Sequence, residues 1–391
     1  MAFMLEIQRV NCTYPMKNKK ILMFVNVDWF YVSHRAAIGK GLCERAYEFQ
    51  IYAERTNKID QDLADLHKII DSPIKRDYRG LLLEISSILK LLYYFIVSRP
   101  AMVHAVTIKP ILFTGLLCYV LKIPFLASIS GLGPIFQPAS SFDIFRMKLI
   151  VLLYKIIFSS KKCFVLCQSQ SDADYIINQV KVDKDIVKII KGSGVDLRKH
   201  SIERKANDHI NVVMASRILK KKGVGEYLNA AGLISQKKSD VRFFLAGPLD
   251  ASSDPWVDSD ELVRLCGVNN VTYLGDVKDL NKVLNNCDFF VLPSYYPEGI
   301  PKVLLEAIAS GCYIVTTDHA GCRDVITSSN IGTLVKPNDT EALTDALLKV
   351  LNNGKLSREK RKLIRLDAEA FYDENSVVER HLQLYQKLVG Y

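Results

Sequence analysis

Two glutamates eight positions apart, Glu298 and Glu306, stand in the stretch PSYYPEGIPKVLLEAIASG (293–311), with a glycine, a proline and an apolar run between them. Ahead of them DFFVLPS has the character of a buried strand, and KVLLEAIASG that of a helix stopped by Gly311, so YYPEG is the loop at the strand's carboxyl end. Pro301 suits a first helical turn, where its missing N–H costs nothing. The first N–H groups of such a helix lack internal partners, and with the helix dipole they favour an anion such as a phosphate. Gly299 permits close approach of the backbone. A carboxylate accepts two hydrogen bonds, which matches a pair of ring hydroxyls. An anion site flanked by Glu298 in the loop and Glu306 in the helix describes a nucleotide sugar, one glutamate for the ribose and one for the transferred sugar. Taken alone, Glu306 would better suit a solvated helix face.

The elements that must position these groups come in two similar sets. In the first half, apolar runs at 21–27, 102–107, 124–130, 163–168 and 186–190 read as strands, separated by helix-like segments near 80–97, 110–121, 143–160 and 171–179. In the second half, strands are expected at 210–216, 241–247, 271–275, 288–293 and 313–317, with helices near 224–236, 279–286, 301–310 and 340–352. Alternation of strand and helix predicts α/β architecture with parallel sheets covered on both faces. KGSGVDLRKHS (191–201) reads as a linker, dividing the chain into domains 1–195 and 196–372. Residues 373–391 form a C-terminal helix by their apolar stripe, expected to pack back toward the N-terminal domain. Two doubly wound, Rossmann-like domains facing across a cleft would bind ligands at their strand ends, one substrate on each side.

The block PSYYPEGIPKVLLEAIASGCYIVTTDHAGCRDVI (293–326) resembles the signature of the retaining glycosyltransferases of family 4, which have the GT-B fold, and its E-x7-E element is matched by Glu298 and Glu306. ASRILKKKGVGEYLNAA (215–231) resembles the family's R-x4-K segment, with Arg217 and Lys222 at its ends, and FFLAGP (243–248) its next strand and glycine turn. The match is near-continuous from about 210 to 350. The resemblance implies that Arg217 and Lys222 hold the donor diphosphate and stabilise it as it leaves, that Glu298 binds hydroxyls of the transferred sugar, and that Glu306 binds the ribose. It also implies donor contacts from Gly247, Gly299, Ile300 and Val303, retention of anomeric configuration, and no bound metal or other cofactor. Lys302, inside the signature, meets either phosphate or solvent.

The first half departs from the commoner family pattern. Where many members carry a glycine-rich loop after the first strand, this chain has VNVDWFYVSHRAAIG, a form similar to the members that build bacterial surface polysaccharides on polyprenyl diphosphate. Ser33, His34 and Arg35 follow that strand in what reads as a loop on the cleft side, as candidates for the acceptor or a phosphate; a loop histidine is also commonly a plain surface or core residue. Gly131 and Gly133 form either a tight turn or an approach to the diphosphate. His104 stands near the place of the family's catalytic histidine.

Charge is placed unevenly. Residues 1–200 hold 28 Lys and Arg against 17 Asp and Glu, and residues 201–391 hold 24 against 25, so the formal excess of +10 lies wholly in the first half. An anionic partner is expected there: nucleic acid, a lipid diphosphate or an anionic membrane surface. No nucleic-acid motif accompanies the charge. Residues 145–162, with Arg146, Lys148, Lys155, Lys161 and Lys162 around an apolar run, read as an interfacial helix or as a core helix with snorkelling lysines. No signal peptide and no transmembrane helix are expected; 80–98 comes near but carries Glu84 and Lys90. Nine cysteines without a C-x-x-C pair suit buried thiols of a reducing compartment. Four D-x-D pairs, at 60/62, 172/174, 183/185 and 258/260, read as surface or capping residues, not as metal ligands.

The expectation is therefore a membrane-peripheral glycosyltransferase of the cytoplasmic face. It would move a sugar, from a UDP donor by preference, to a polyprenyl-diphosphate-linked saccharide in O-antigen, capsule or related glycan synthesis. A transferase with a soluble acceptor, a nucleotide-sugar epimerase and a non-catalytic nucleotide-binding partner of the same fold are the alternatives.

Overall fold

A computed structural model of the chain describes residues 19–56, 68–138, 140–204, 208–249 and 257–390. The first domain is a seven-stranded parallel sheet: β1 (Lys20–Val27), β2 (Glu48–Glu54), β3 (Ile69–Asp71), β4 (Met102–Val106), β5 (Phe125–Ile129), β6 (Cys163–Cys167) and β7 (Val187–Ile189), in the order β3-β2-β1-β4-β5-β6-β7. The second is a six-stranded parallel sheet of β8 (Ile210–Ala215), β9 (Val241–Ala246), β10 (Val271–Tyr273), β11 (Phe289–Leu292), β12 (Tyr313–Thr317) and β13 (Gly332–Val335), in the order β10-β9-β8-β11-β12-β13. Strand order reverses between β1 and β4 in one sheet and between β8 and β11 in the other. Each reversal opens a crevice at the carboxyl ends of its strands, and the expected doubly wound pair is what forms.

Both faces of the first sheet are covered. On one lie α3 (Leu81–Ser98), α4 (Ile108–Leu121) and α5 (Ser141–Phe158), through Leu91, Phe95, Ile111, Leu117, Tyr154 and Ile157. On the other lie α1 (Asp28–His34), α2 (Ala36–Glu44) and the last helix of the chain, through Tyr31, Ile38, Leu42, Val377, Leu382 and Tyr385. α6 (Gln170–Tyr175) follows β6. In the second domain come α7 (Val224–Ser235), α8 (Ser259–Val268), α9 (Leu280–Leu284), α10 (Lys302–Ala309), α11 (Thr340–Leu351) and α12 (Arg358–Phe371), and the chain closes with α13 (Glu374–Val389). A buried ion pair, Arg361 with Asp288, ties α12 to the start of β11.

The chain passes between the domains at 191–195 and again at 372–374, and the passages are joined: Val195 N donates to the Tyr372 carbonyl at 2.8 Å and Glu374 N to the Val195 carbonyl at 3.0 Å. α13 then packs on α2, with Val378 so close to Gly41 that a Cβ there would come within 2.5 Å of it.

Several elements are additional to those read from the sequence. β2, β3 and β13 are short or have charged ends, so no apolar run marks them. The segment after β1, expected as a loop, is two helices: Asp28 directly follows the strand and anchors the turn by accepting from Trp29 N at 2.7 Å and from Thr56 N and Oγ1 at 2.6 Å. Asp183 and Asp258 cap helical turns, as expected of two of the D-x-D pairs, while Asp172 is buried behind Ser169 and the 60/62 pair lies outside the described residues. The eight described cysteines are free thiols, and all but Cys43 are buried. α3, read as falling short of a membrane span, is long and apolar enough to cross one by length and composition alone; Leu91 and Phe95 nevertheless sit in the core.

Candidate active site

The two crevices face each other and enclose a cavity of about 420 Å³. The second domain supplies its wall from three strand ends. After β8 come Ser216 and Arg217, and then the turn Lys220–Lys222. Lys222 is 6 % exposed and forms an ion pair with Glu298. Its position depends on Gly223, at φ +79°, where a Cβ would lie 2.3 Å from the Pro293 carbonyl oxygen. The two loops are also laced by Tyr295 N donating to the Lys221 carbonyl at 2.9 Å. Tyr296 lies between the cations, its ring centre 5.7 Å from the Arg217 guanidinium carbon and 5.2 Å from Lys222 Nζ, close enough for cation–π attraction. After β9, Gly247 takes φ +132°, and a Cβ would fall 1.8 Å from the Ser216 carbonyl oxygen, so only glycine lets these strand ends close together.

The third contribution is the glutamate loop. Pro301 caps α10, and Gly299, Ile300, Pro301, Lys302 and Val303 all line the cavity. Glu306 stands one turn into α10, mostly buried, with Lys302 Nζ 3.8 Å from its carboxylate. Burial raises its pKa, and Lys302 and Lys199 pull it back toward the ordinary range. Its carboxylate lies behind the cavity lining.

The first domain supplies Trp29, Phe30, His34, Ser130 and Gln168. Phe30 stacks on the His34 ring at 4.4 Å between centres and 2° between planes. Burial, then Lys302 and Arg35, push the His34 pKa down to about 3, so the ring is neutral at physiological pH. Three contacts bridge the domains at the cavity's edge. Lys302 Nζ donates to the Ser33 carbonyl at 2.5 Å, which resolves its alternatives in favour of neither phosphate nor bulk solvent in this state. Asp324 accepts from Ser171 Oγ at 3.0 Å and Gln170 N at 3.1 Å. Gly131, at φ +98°, lies so close to the Glu298–Gly299 peptide that a Cβ would come 2.1 Å from Gly299 N.

Of the residues singled out in the sequence, Arg217, Lys222, Gly247, Glu298, Gly299, Ile300, Val303 and His34 line one cavity. Ser33, Arg35, Gly131 and Glu306 stand directly behind that lining. Ser33 and His34 are in the last turn of α1, not in a loop, because that segment folds as a helix straight from β1. Gly133 is apart, its nearest neighbour for a Cβ being Ile108 Cδ1 at 3.9 Å. His104 is also apart. It is 0 % exposed in the middle of β4, with Nδ1 2.7 Å from Tyr385 Oη and Nε2 2.6 Å from Ser128 Oγ. Both ring nitrogens are engaged by the core, so this histidine offers the cavity nothing. Trp29, Phe30, Ser130, Gln168, Tyr296 and Asp324 went unnoticed in the sequence; only the aromatic pair after the first strand carried a local signal.

Residues 196–365 match the family described as "Glycosyl transferases group 1", and residues 20–169 match "Glycosyl transferase 4-like". A curated relative from Campylobacter jejuni, an N,N'-diacetylbacillosaminyl-diphospho-undecaprenol alpha-1,3-N-acetylgalactosaminyltransferase, is 31 % identical over 283 residues, 68 % of this chain and 72 % of that protein. The chain is a family 4-like glycosyltransferase. This glycosyltransferase is also 24 % identical to the capsular polysaccharide biosynthesis glycosyltransferase CapM of Staphylococcus aureus, over 87 % of its own length and 90 % of the relative's. The GT-B fold is shared with solved structures at low identity. A glycosyltransferase from Rickettsia africae superposes with a TM-score of 0.76 at 16 % identity, covering 95 % of this chain and 99 % of that one. HepE of Anabaena, in complex with UDP and glucose, gives 0.74 at 16 %, covering 94 % and 100 %.

Proposed function

We propose that this glycosyltransferase moves a sugar from a nucleoside diphosphate sugar, UDP-linked by preference, to a polyprenyl-diphosphate-linked saccharide with retention of anomeric configuration. The observation that carries the reading is the meeting of Arg217, Lys222 and Glu298 on one wall of the cleft cavity, opposite a wall from the other domain. In this role Arg217 and Lys222 hold the donor diphosphate and stabilise the charge that grows on it as the sugar leaves. Glu298 takes hydroxyls of the transferred sugar, and Glu306 takes the ribose. Backbone groups at Gly247, Gly299, Ile300 and Val303 close the donor site. In the donor-free state the Lys222–Glu298 pair keeps both charges matched, and donor binding exchanges that pair for phosphate and hydroxyl partners. The two cations do the work a metal ion would do elsewhere, so the reaction is expected to proceed without one.

The acceptor assignment draws on the Campylobacter jejuni relative, whose name specifies an undecaprenol-linked diphosphate acceptor. It also fits one face of the first domain. The outward sides of α3, α4 and α5 expose Leu82 at 83 %, Tyr93 at 72 %, Val120 at 70 % and Phe145 at 64 %, among exposed Arg79, Lys90, Lys122, Arg146 and Lys148. Helices that follow strands of a parallel sheet begin at the sheet's carboxyl edge, so Leu82 and Phe145 lie at the cleft end of the molecule. Apolar side chains ringed by cations match an anionic bilayer surface, each nearby cation contributing about 1 kcal/mol. Peripheral association at the cytoplasmic leaflet, in surface-glycan synthesis, follows from that reading.

The test is transfer from a panel of UDP-, GDP- and ADP-sugars to short polyprenyl-diphosphate saccharides, with the product's linkage read by NMR. An α-linked, lipid-bound product is expected with EDTA present, and Glu298→Ala should abolish transfer while leaving the melting profile two-domain and cooperative. Transfer at the wild-type rate by that variant, or epimerisation of a donor without transfer, would overturn the assignment.

A further inference from the structure

The wall opposite the donor site is organised by a buried cation. Arg35 is 1 % exposed at the junction of α1 and α2. It donates to the His34 carbonyl at 3.2 Å and to Ser130 Oγ at 3.0 Å. With the Gln168 amide oriented to satisfy its hydrogen bonds, Arg35 also donates to that side-chain oxygen at 2.9 Å and 3.3 Å. His34, Ser130 and Gln168 are three of the five residues that the first domain gives to the cavity. One guanidinium therefore fixes most of that wall.

The hydrogen bonds around His34 fit one tautomer well. Ser33 Oγ has one proton and two backbone carbonyls within its reach, Trp29 O at 2.8 Å and Phe30 O at 3.3 Å. With that proton assigned to a carbonyl, the contact of 2.6 Å between Ser33 Oγ and His34 Nδ1 places the ring proton on Nδ1. Nε2 carries the lone pair. Phe30 stacked on the ring and Lys302 on the Ser33 carbonyl hold the imidazole in this setting. His34 lines the cavity, and with Nδ1 turned to its own helix, Nε2 is the polar atom it presents there. Of the charged groups on the opposite wall, Arg217, Lys222 and Glu298 are assigned to the donor and Lys302 to the Ser33 carbonyl.

We propose that His34 Nε2 accepts a hydrogen bond from the attacking hydroxyl of the acceptor sugar, with Trp29 and Phe30 as the apolar surface beside that sugar and Arg35 as the positioning residue behind the wall. The proposal rests on the transferase reading of the cleft. His34 orients the hydroxyl and does not take its proton, because an imidazolium would stand beside Lys302 and Arg35, with no carboxylate bonded to its ring among the described residues. In the step, the bond from the acceptor oxygen to the anomeric carbon forms, the bond from that carbon to the phosphate oxygen breaks, and the hydroxyl proton leaves its hydrogen bond to Nε2 and passes to the departing diphosphate.

The experiment compares wild type, His34→Ala and His34→Gln, using one active donor and a short-chain, detergent-soluble acceptor. Gln places an amide oxygen close to the position of Nε2 and can accept the same hydrogen bond. Expected are a roughly ten- to hundredfold loss of kcat/KM for the acceptor in His34→Ala, an unchanged donor dissociation constant, and recovery to within about fivefold of wild type in His34→Gln. If His34→Gln is as impaired as His34→Ala while both bind donor normally, the residue is a base and the hydrogen-bond role is overturned. Equal loss of donor affinity would make it a phosphate contact and overturn it as well. Wild-type rates in His34→Ala would remove His34 from the reaction and leave the transferase reading standing, whereas absence of transfer by the wild type would sink that reading instead.

Discussion

Gly131→Ala tests whether the domains must close as tightly as they do here. Gly131 holds φ at +98°, where an L residue costs roughly 1–3 kcal/mol. Its new Cβ would also stand 2.1 Å from Gly299 N and 2.6 Å from Glu298 C. Both neighbours are backbone, so no side chain can swing away, and the loops must part by roughly 1.3 Å to restore ordinary contact. That displacement falls on the peptide joining Glu298 to Gly299, where the proposed reaction brings donor and acceptor together. A shift of about 1 Å costs on the order of a hundredfold in rate. Gly80→Ala is the matched control: φ is +101°, and nothing lies within 4 Å of the Cβ position. Both variants should melt lower by roughly 3–10 °C. Only Gly131→Ala should lose transfer, by about a hundredfold, with donor affinity weakened as well because Glu298 and Gly299 are donor contacts in the proposed site. Equal transfer rates in the two variants would show that the Gly131–Gly299 contact has no part in catalysis.

Two further outcomes can be checked. Burial raises the Asp172 carboxyl from 3.8 to about 6, so its ionisation opposes folding: stability falls as pH rises from about 4 to 6 and stays reduced above that. Asp172→Asn should therefore be more stable than wild type at pH 7.5, by about 2–3 kcal/mol, and equal to it at pH 4 in thermal melts; a pH-independent difference would contradict the sign. Leu82→Glu combined with Phe145→Glu changes two side chains that are 83 % and 64 % exposed, so folding should be unaffected. The wild type should float with phosphatidylglycerol vesicles and the double variant should not, its partitioning weakened at least about a hundredfold by the loss of two buried apolar groups; transfer to a detergent-soluble acceptor should be unchanged, and flotation equal to wild type would sink the docking face.

The chemistry of the second domain was legible in the sequence because it is local. Strand, loop and helix follow one another within 293–311, and apolar runs bounded by Gly and Pro announce where each begins. Glu298, Gly299 and Val303 meet in one cavity with Arg217 and Lys222, as the resemblance to family 4 implied. The buried strands β1, β4, β5, β6, β8, β9, β11 and β12 were visible for the same reason: a strand covered on both faces is a continuous apolar run. β2 and β3 escaped because charged ends and three-residue length give no such run, and α1 because no breaker separates it from β1.

What only the tertiary structure decided is which of several chemically similar residues faces the cleft. The sequence offered His104 near the place of the family's catalytic histidine and His34 as a candidate for the acceptor or a phosphate; α13, arriving from 281 positions later, brings Tyr385 against His104 and seals it in the core. Lys302 reaches Ser33 across 269 positions and Asp324 reaches Ser171 across 153, and no local pattern encodes either distance. The apolar outward faces of α3 and α5 were likewise undecided. Periodicity shows that a helix has two faces, but only the packed neighbours determine which one is left exposed.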